Sequence, residues 1–327
     1  MTTTPRLLAT LAGGLAGALT LGAVAEARLG MRLRHHEVPV LPPGSQPLHI
    51  LHLSDFHMLP SMQLKMRWIR ELRTLPLDLI VNTGDNLSSP AALVTVMDAL
   101  EPFLDLPGAF VYGSNDYYAP RWRNPLRYLW RSGASAPVDD PGEELPHESL
   151  AACLQAAGWH DLRNTSAQVE VAGRRVVLAG MDDPHIDLDE MPPVPPATDL
   201  RIGVVHAPYS RALDAFAAAG MDLVLAGHTH GGQVALPGYG ALVTNCDLPS
   251  WRASGLQGWP GRIPNTPSNA DPVQPWRRLR PRPQLPSSRM YVHISRGLGT
   301  SPYAPIRLFC QPEATLLKLT ECAREDI

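Results

Sequence analysis

The chain has 327 residues, a formal net charge of -3 at pH 7, 44% hydrophobic residues and 18% charged residues. That length can bury a sizeable core in one α/β domain, and the composition excludes a disordered chain. The small negative charge argues against non-specific nucleic-acid binding, so no nucleic-acid partner is expected.

The basic residues are almost all arginine, with Lys65 and Lys318 the lysines, in a chain rich in Ala, Pro and Gly. Arginine clusters therefore carry little weight as signs of function. Cys153, Cys246, Cys310 and Cys322 form no Cys-X-X-Cys, which removes support for a zinc ribbon or a small disulfide scaffold.

From the N-terminus, Leu7 to Ala25 runs uncharged after Arg6, long enough to cross a hydrocarbon core as a helix. Ala23-Val24-Ala25 also fits a small-X-small signal-peptide cleavage site, so a membrane anchor and a cleaved signal both stand, with a buried core helix as the third reading. The expectation carried forward is an uncleaved hydrophobic anchor with its juxtamembrane segment over residues 1–37. Arg28, Arg32 and Arg34 outnumber the positive charges before the segment, which favours the cytoplasmic face for the domain that follows. Residues 38–46 (VPVLPPGSQ) read as an extended linker to a domain over 47–327.

Within that domain, short apolar runs end repeatedly in polar clusters and alternate with helical spacing. His49 to Leu53 runs into Asp55 and His57; Leu77 to Val81 ends at Gly84-Asp85; Ala109 to Tyr112 ends at Gly113-Ser114-Asn115-Asp116. Arg175 to Ala179 leads to Asp182-Asp183, Ile202 to Val205 to His206, and Leu223 to Ala226 to Gly227-His228-Thr229-His230-Gly231-Gly232-Gln233. Met290 to Ile294 and Thr315 to Leu319 read as closing strands. Between them, Leu64 to Leu72, Ala91 to Leu100, Leu150 to Ala157 and Ser210 to Ala219 keep helical spacing. The alternation predicts a layered α/β domain with its site at strand ends. Two stretches break the rhythm, near 117–146 and 249–289, and read as insertions; the first carries Trp122, Tyr128 and Trp130 among arginines, a set suited to a membrane interface.

The strand ends collect Asp55, His57, Asp85, an asparagine in the 114–116 region, His206, His228 and His230. This mixture of carboxylate, imidazole and amide suits Mn, Fe or Zn and is too rich in nitrogen for a calcium cage. The ligands suffice for two divalent ions sharing one carboxylate.

In this order the motifs Asp-X-His, Gly-Asp, Gly-Asn-His-Asp-like, His and Gly-His-X-His resemble those of the calcineurin-like metallophosphoesterase superfamily. Gly-His-Thr-His-Gly-Gly-Gln, Ser295-Arg296-Gly297-Leu298-Gly299 and Pro312-Glu313 are more specifically similar to its membrane-associated bacterial phosphodiesterase branch, which includes or resembles pyrophosphatases of lipid precursors. The resemblance implies two mixed β-sheets in a sandwich flanked by helices (α+β). It puts Asp55, His57 and His230 on one ion and Asn115, His206 and His228 on the other, with Asp85 bridging. It implies catalytic roles for Asp85, Asn115 and His228.

The departure lies at Gly113-Ser114-Asn115-Asp116, where an ungapped match puts Ser114 at the family's ligand asparagine and Asn115 at its histidine. Asn115 is the better neutral ligand; Ser114 stays open as the alternative. Either way the family's histidine is missing, and a general acid matters most when the leaving oxygen is basic. The expected reaction is therefore hydrolysis of a phosphodiester or pyrophosphate with a good leaving group by a hydroxide bridging the two ions, with a lipid-linked substrate as one candidate. Arg296 is a candidate phosphate clamp and His185 a candidate substitute acid that contacts substrate. The alternatives are a phosphomonoesterase, including a phosphoprotein phosphatase, and a metal-binding scaffold with impaired catalysis.

Overall fold

The computed structural model describes residues 3–122, 142–196, 199–264 and 286–322. Helix α1 (Thr3–Leu29) leads into strands β1 (Arg32–Leu41) and β2 (Leu48–Leu53). Helix α2 (Gln63–Glu71), β3 (Leu79–Asn82), α3 (Ala92–Leu100), β4 (Gly108–Phe110), the single turn α4 (Ser114–Tyr117), α5 (His147–Ala156) and β5 (His160–Asp161) follow. The second half comprises β6 (Thr165–Val171), β7 (Arg174–Gly180), β8 (Leu200–Val204), α6 (Ser210–Ala218) and β9 (Leu223–Ala226). It continues with the short β10 (Ala235–Leu236) and β11 (Gly240–Ala241), then β12 (Gly255–Trp259), β13 (Met290–Ile294) and β14 (Glu313–Glu321).

Two six-stranded mixed sheets result, in the orders β1-β14-β2-β3-β4-β5 and β12-β13-β9-β8-β7-β6. Their alternating side chains build three apolar layers. In β2, Ile50 faces the other sheet beside Val81, Val204 and Leu225, whereas Leu51 and Leu53 face Ile69, Val96 and Leu150 of the helices. On the far side, Val224 and Val292 pack against Leu213 and Phe216 of α6. Helices thus cover both outer faces of a two-sheet sandwich, as the motifs imply. Strands β2, β3 and β4 are mutually parallel, as are β7, β8, β9 and β13. Their C-terminal ends carry all the candidate ligands.

Of the stretch read as a linker, residues 38–41 are instead the end of a strand, and residues 42–46 form the turn that follows it. β1 runs parallel to β14 from Arg32 to Leu41, and Val38 and Leu41 are fully buried. Pro39 misled the reading: β1 is an edge strand, where a missing N–H disturbs no ladder, and the register shifts between Pro39 and Leu41.

The uncharged segment is helical, but among the described residues no helix is long and apolar enough to cross a membrane. Gly13, Gly14, Gly17 and Gly22 with Thr10 and Thr20 dilute its apolar content. The end of α1 is tied to the domain, because Arg307 N donates to Ala23 O and Glu26 accepts from the backbone N–H groups of Phe309 and Cys310.

Part of the second insertion is also regular. β12 pairs antiparallel with β13, held by buried Arg252, which donates to Gly258 O at 2.8 Å, and by Trp259, whose indole donates to Asp214 at 2.8 Å. Tyr128, Trp130 and Trp276 lie outside the described residues.

Candidate metal centre

Each candidate ligand sits just past a strand whose residues are buried on both faces, so the chain must turn sharply to leave the sandwich. Asp55, His57, Asp85, His228 and His230 all have positive φ, between 42° and 68°. Side chains other than glycine enter this region at a cost of roughly 1–2 kcal/mol each. Five such residues at one edge mark a place where geometry is held against local preference. Glycines make the room: a Cβ at Gly113 would collide with Asp85 Oδ1 and His206 Nε2, and one at Gly297 with the Asp55 side chain.

Ligand atoms of Asp55, His57, Asp85 and His230 lie within 4.8 Å of one another, all buried. His57 Nε2 is 3.2 Å from His230 Nε2 and 3.4 Å from Asp85 Oδ2, and His230 Nε2 is 3.6 Å from Asp55 Oδ1. Four ligands at about 2.1 Å from one ion in a tetrahedron are spaced by about 3.4 Å, so the set fits a first-row divalent cation. Burial drives the pKa of His57 down to about 4 and those of His228 and His230 well below the ordinary value. At neutral pH these rings are uncharged and have lone pairs to offer.

Asp85 faces a second group from the same oxygen. His206 Nε2 is 3.4 Å from Asp85 Oδ2, and Asn115 donates to Asp85 from its backbone N and from Nδ2, both at 2.8 Å. His206 Nδ1 is 2.7 Å from the Thr83 carbonyl, which can only accept, so Nδ1 carries a proton, and the buried Nε2 faces Asp85. Burial opposes charge on both groups, yet their mutual attraction outweighs it, holding Asp85 well below and His206 well above the ordinary values. A divalent cation held by both would take the place of that shared proton. The His228 ring lies 5.2 Å from that of His206, centroid to centroid, and its backbone N donates to Asp55.

The remaining candidates separate. His185 joins the site: its ring centroid is 4.6 Å from that of His228 and its Nδ1 is 3.0 Å from Tyr209 Oη. Arg296 turns toward Ser254 and Glu313, at 3.3 and 3.5 Å from Nε, and lines a cavity of about 300 Å³ with Gly231, Leu236, Pro237 and Phe309. Ser114 contributes its carbonyl to the turn of α4.

Several supporting residues escaped the sequence reading. The Asp116 carboxylate accepts from the backbone N–H groups of Asp85, Asn86 and Gly113 at 2.7, 2.8 and 3.1 Å and so locks two ligand loops together. Buried Arg307 donates to the carbonyls of Arg296 and Gly299, both at 2.6 Å, and reaches His230 O at 3.4 Å. Lys65, buried and lowered to about 7 by desolvation, donates to Phe56 O between the first two ligands. Its signal was present: a lysine retained in an arginine-biased chain.

A family model described as calcineurin-like phosphoesterase matches residues 48–232. The chain belongs to that family and is a metal-dependent phosphoric ester hydrolase. It is 25% identical to the phosphodiesterase YaeI of Escherichia coli (strain K12) over 294 residues, 88% of this chain and 87% of that protein. It is also 25% identical over 281 residues to the uncharacterized metallophosphoesterase YkuE of Bacillus subtilis (strain 168), covering 82% of this chain and 76% of that one. Among solved structures, the purple acid phosphatase PPD1 of yellow lupin aligns over 58% of this chain and 39% of its own, with a TM-score of 0.35 and 12% identity.

Proposed function

We propose that the protein is a two-ion phosphoesterase that cleaves phosphodiester or pyrophosphate bonds. The observation that carries this reading is Asp85 Oδ2, placed 3.4 Å from His57 Nε2 on one side and 3.4 Å from His206 Nε2 on the other. Asp55, His57 and His230 would hold one ion with Asp85; Asn115, His206 and His228 would hold the second. The donor set suits Mn, Fe or Zn. When bound, such ions activate water near neutral pH and neutralise charge on the phosphoryl oxygens.

The residues around them set the scope of the reaction. No histidine stands in the Gly113–Asp116 turn, so departure of a basic alkoxide gains little help there. His185, its ring 4.6 Å from that of His228 and held by Tyr209, would assist a leaving group or contact the substrate. The cavity lined by Gly231, the residue after His230, with apolar Leu236, Pro237 and Phe309 and the guanidinium of Arg296, supports an anionic substrate with an apolar portion, a lipid-linked one included.

Manganese-loaded protein assayed on aryl and alkyl phosphodiesters, pyrophosphodiesters and an aryl monoester tests this. Aryl diesters and pyrophosphodiesters are expected to turn over at least about 10²-fold faster than alkyl diesters, and Asp85→Ala to fall to background. Turnover confined to the monoester would overturn the diester reading, and bound metal without turnover would point to a scaffold.

A further inference from the structure

Between the two sheets, beneath the ligand loops, lies a chain of polar groups in an otherwise apolar layer. Ser54 Oγ is 2.5 Å from Asp55 Oδ2, Thr83 Oγ1 2.7 Å from Ser54 Oγ, His52 Nε2 3.0 Å from Thr83 Oγ1, and His293 Nδ1 2.9 Å from His52 Nδ1. All five residues are fully buried. Strand parity explains the meeting. His52 shares a face of β2 with Ile50, and His293 a face of β13 with Tyr291, so each projects from its sheet into the shared layer.

Donor counting fixes the direction of every bond. A carboxylate only accepts, so the single Ser54 hydroxyl proton goes to Asp55. Ser54 must then accept from Thr83, whose one proton is thereby used, and Thr83 must accept from His52 Nε2–H. Burial pushes the pKa of His52 down to about 3, so the ring is neutral and its Nδ1 is an acceptor. His293 Nδ1 therefore donates to it, leaving His293 Nε2 as a buried acceptor with no hydrogen-bond partner. Each link points its proton toward Asp55.

We propose that His293, His52, Thr83 and Ser54 form a relay that orients the Asp55 carboxylate and tunes it as a metal ligand. Aligned hydrogen bonds polarise one another, and outer groups that hold a ligand typically change metal affinity about 10- to 100-fold when removed. Ser54 bonds Oδ2 alone, His228 N lies 3.1 Å from Oδ1 and 3.2 Å from Oδ2, and Oδ1 also faces His230 Nε2 at 3.6 Å. The relay thereby directs one oxygen toward the metal side and keeps the other occupied. These four are positioning residues; the inference rests on the assignment of Asp55 to a metal ion.

The test titrates the metal-free full-length chain with Mn²⁺, reading free ion by electron paramagnetic resonance. Thr83→Val, equal in shape and lacking the hydroxyl, is expected to weaken one site about 10- to 100-fold, and Thr83→Ser to restore it. The pair His293→Phe, without the donor, and His293→Asn, with it, should show the same loss and recovery farther from the ligands, and they decide the matter if Thr83→Val does not fold. Unchanged affinity in Thr83→Val, or equal losses in Thr83→Val and Thr83→Ser, would overturn the relay. Asp55→Asn binding Mn²⁺ as the natural protein does would overturn the metal assignment itself, a result distinct from either.

Discussion

His52 shows how burial turns a common side chain into a pH-dependent liability. Its pKa is depressed to about 3 in the folded protein against 6.5 for an exposed imidazole. Between those values the unfolded chain binds a proton that the native chain refuses, so acidification favours unfolding. Above pH 6.5 the term vanishes; below it, the loss grows by about 1.4 kcal/mol per pH unit until about pH 3. Metal-free His52→Phe is therefore expected to lose about 2 kcal/mol less stability than the natural chain between pH 7.5 and pH 5, measured by urea unfolding. Equal pH dependence in the two proteins would mean that His52 is not held neutral. The candidate ligand residues stood out in the sequence because Asp and His at strand ends are unusual. Ser54, Thr83 and His52 were not, since a serine, a threonine and a histidine beside a strand are ordinary until their partners from another strand are known.

At the scale of elements, the strands that hold ligands announced themselves as apolar runs with polar ends. Strands β1, β6 and β12, which hold none, did not. β6 has exposed and half-buried positions along most of its length, and β1 contains a proline, so neither shows the continuous apolar signal of the central strands. The consequence for β1 is measurable. A chain starting at residue 31 retains it, whereas a chain starting at residue 47 removes buried Val38 and Leu41 and leaves β14 without its parallel neighbour. The shorter chain is expected to be less stable by about 3–6 kcal/mol, at about 1.5–3 kcal/mol per buried aliphatic side chain, as read by denaturant unfolding. Equal stability of the two would show that β1 contributes nothing to the stability of the fold.

For the whole molecule, the candidate metal centre would tie the two sheets together. Asp55, His57 and Asp85 follow strands of one sheet, and His206, His228 and His230 follow strands of the other. An ion bound by both sets favours the folded state, because the unfolded chain cannot assemble the site. Free Mn²⁺ at a thousand times its dissociation constant should add about 4 kcal/mol, and chelation should lower the melting midpoint accordingly. An Asp85→Asn variant whose melting does not respond to Mn²⁺ is the expected control. A midpoint unmoved by chelator in the natural chain would argue against the metal centre.

By itself the sequence determined the layered class of fold, the order of its central strands along the chain, the family, and the identity of the Asp and His residues at the strand ends. It could do so because apolar periodicity and strand-end motifs are local properties, written within a few residues. Only the tertiary structure decided that Asp85 faces both His57 and His206, that Asp116 and Arg307 lock the ligand loops, that residues 38–41 complete a sheet, and that His52 meets His293 beneath Asp55. Each of those joins residues from segments distant in the chain, some within one sheet and some across the two, and no local pattern encodes which buried group will find which partner.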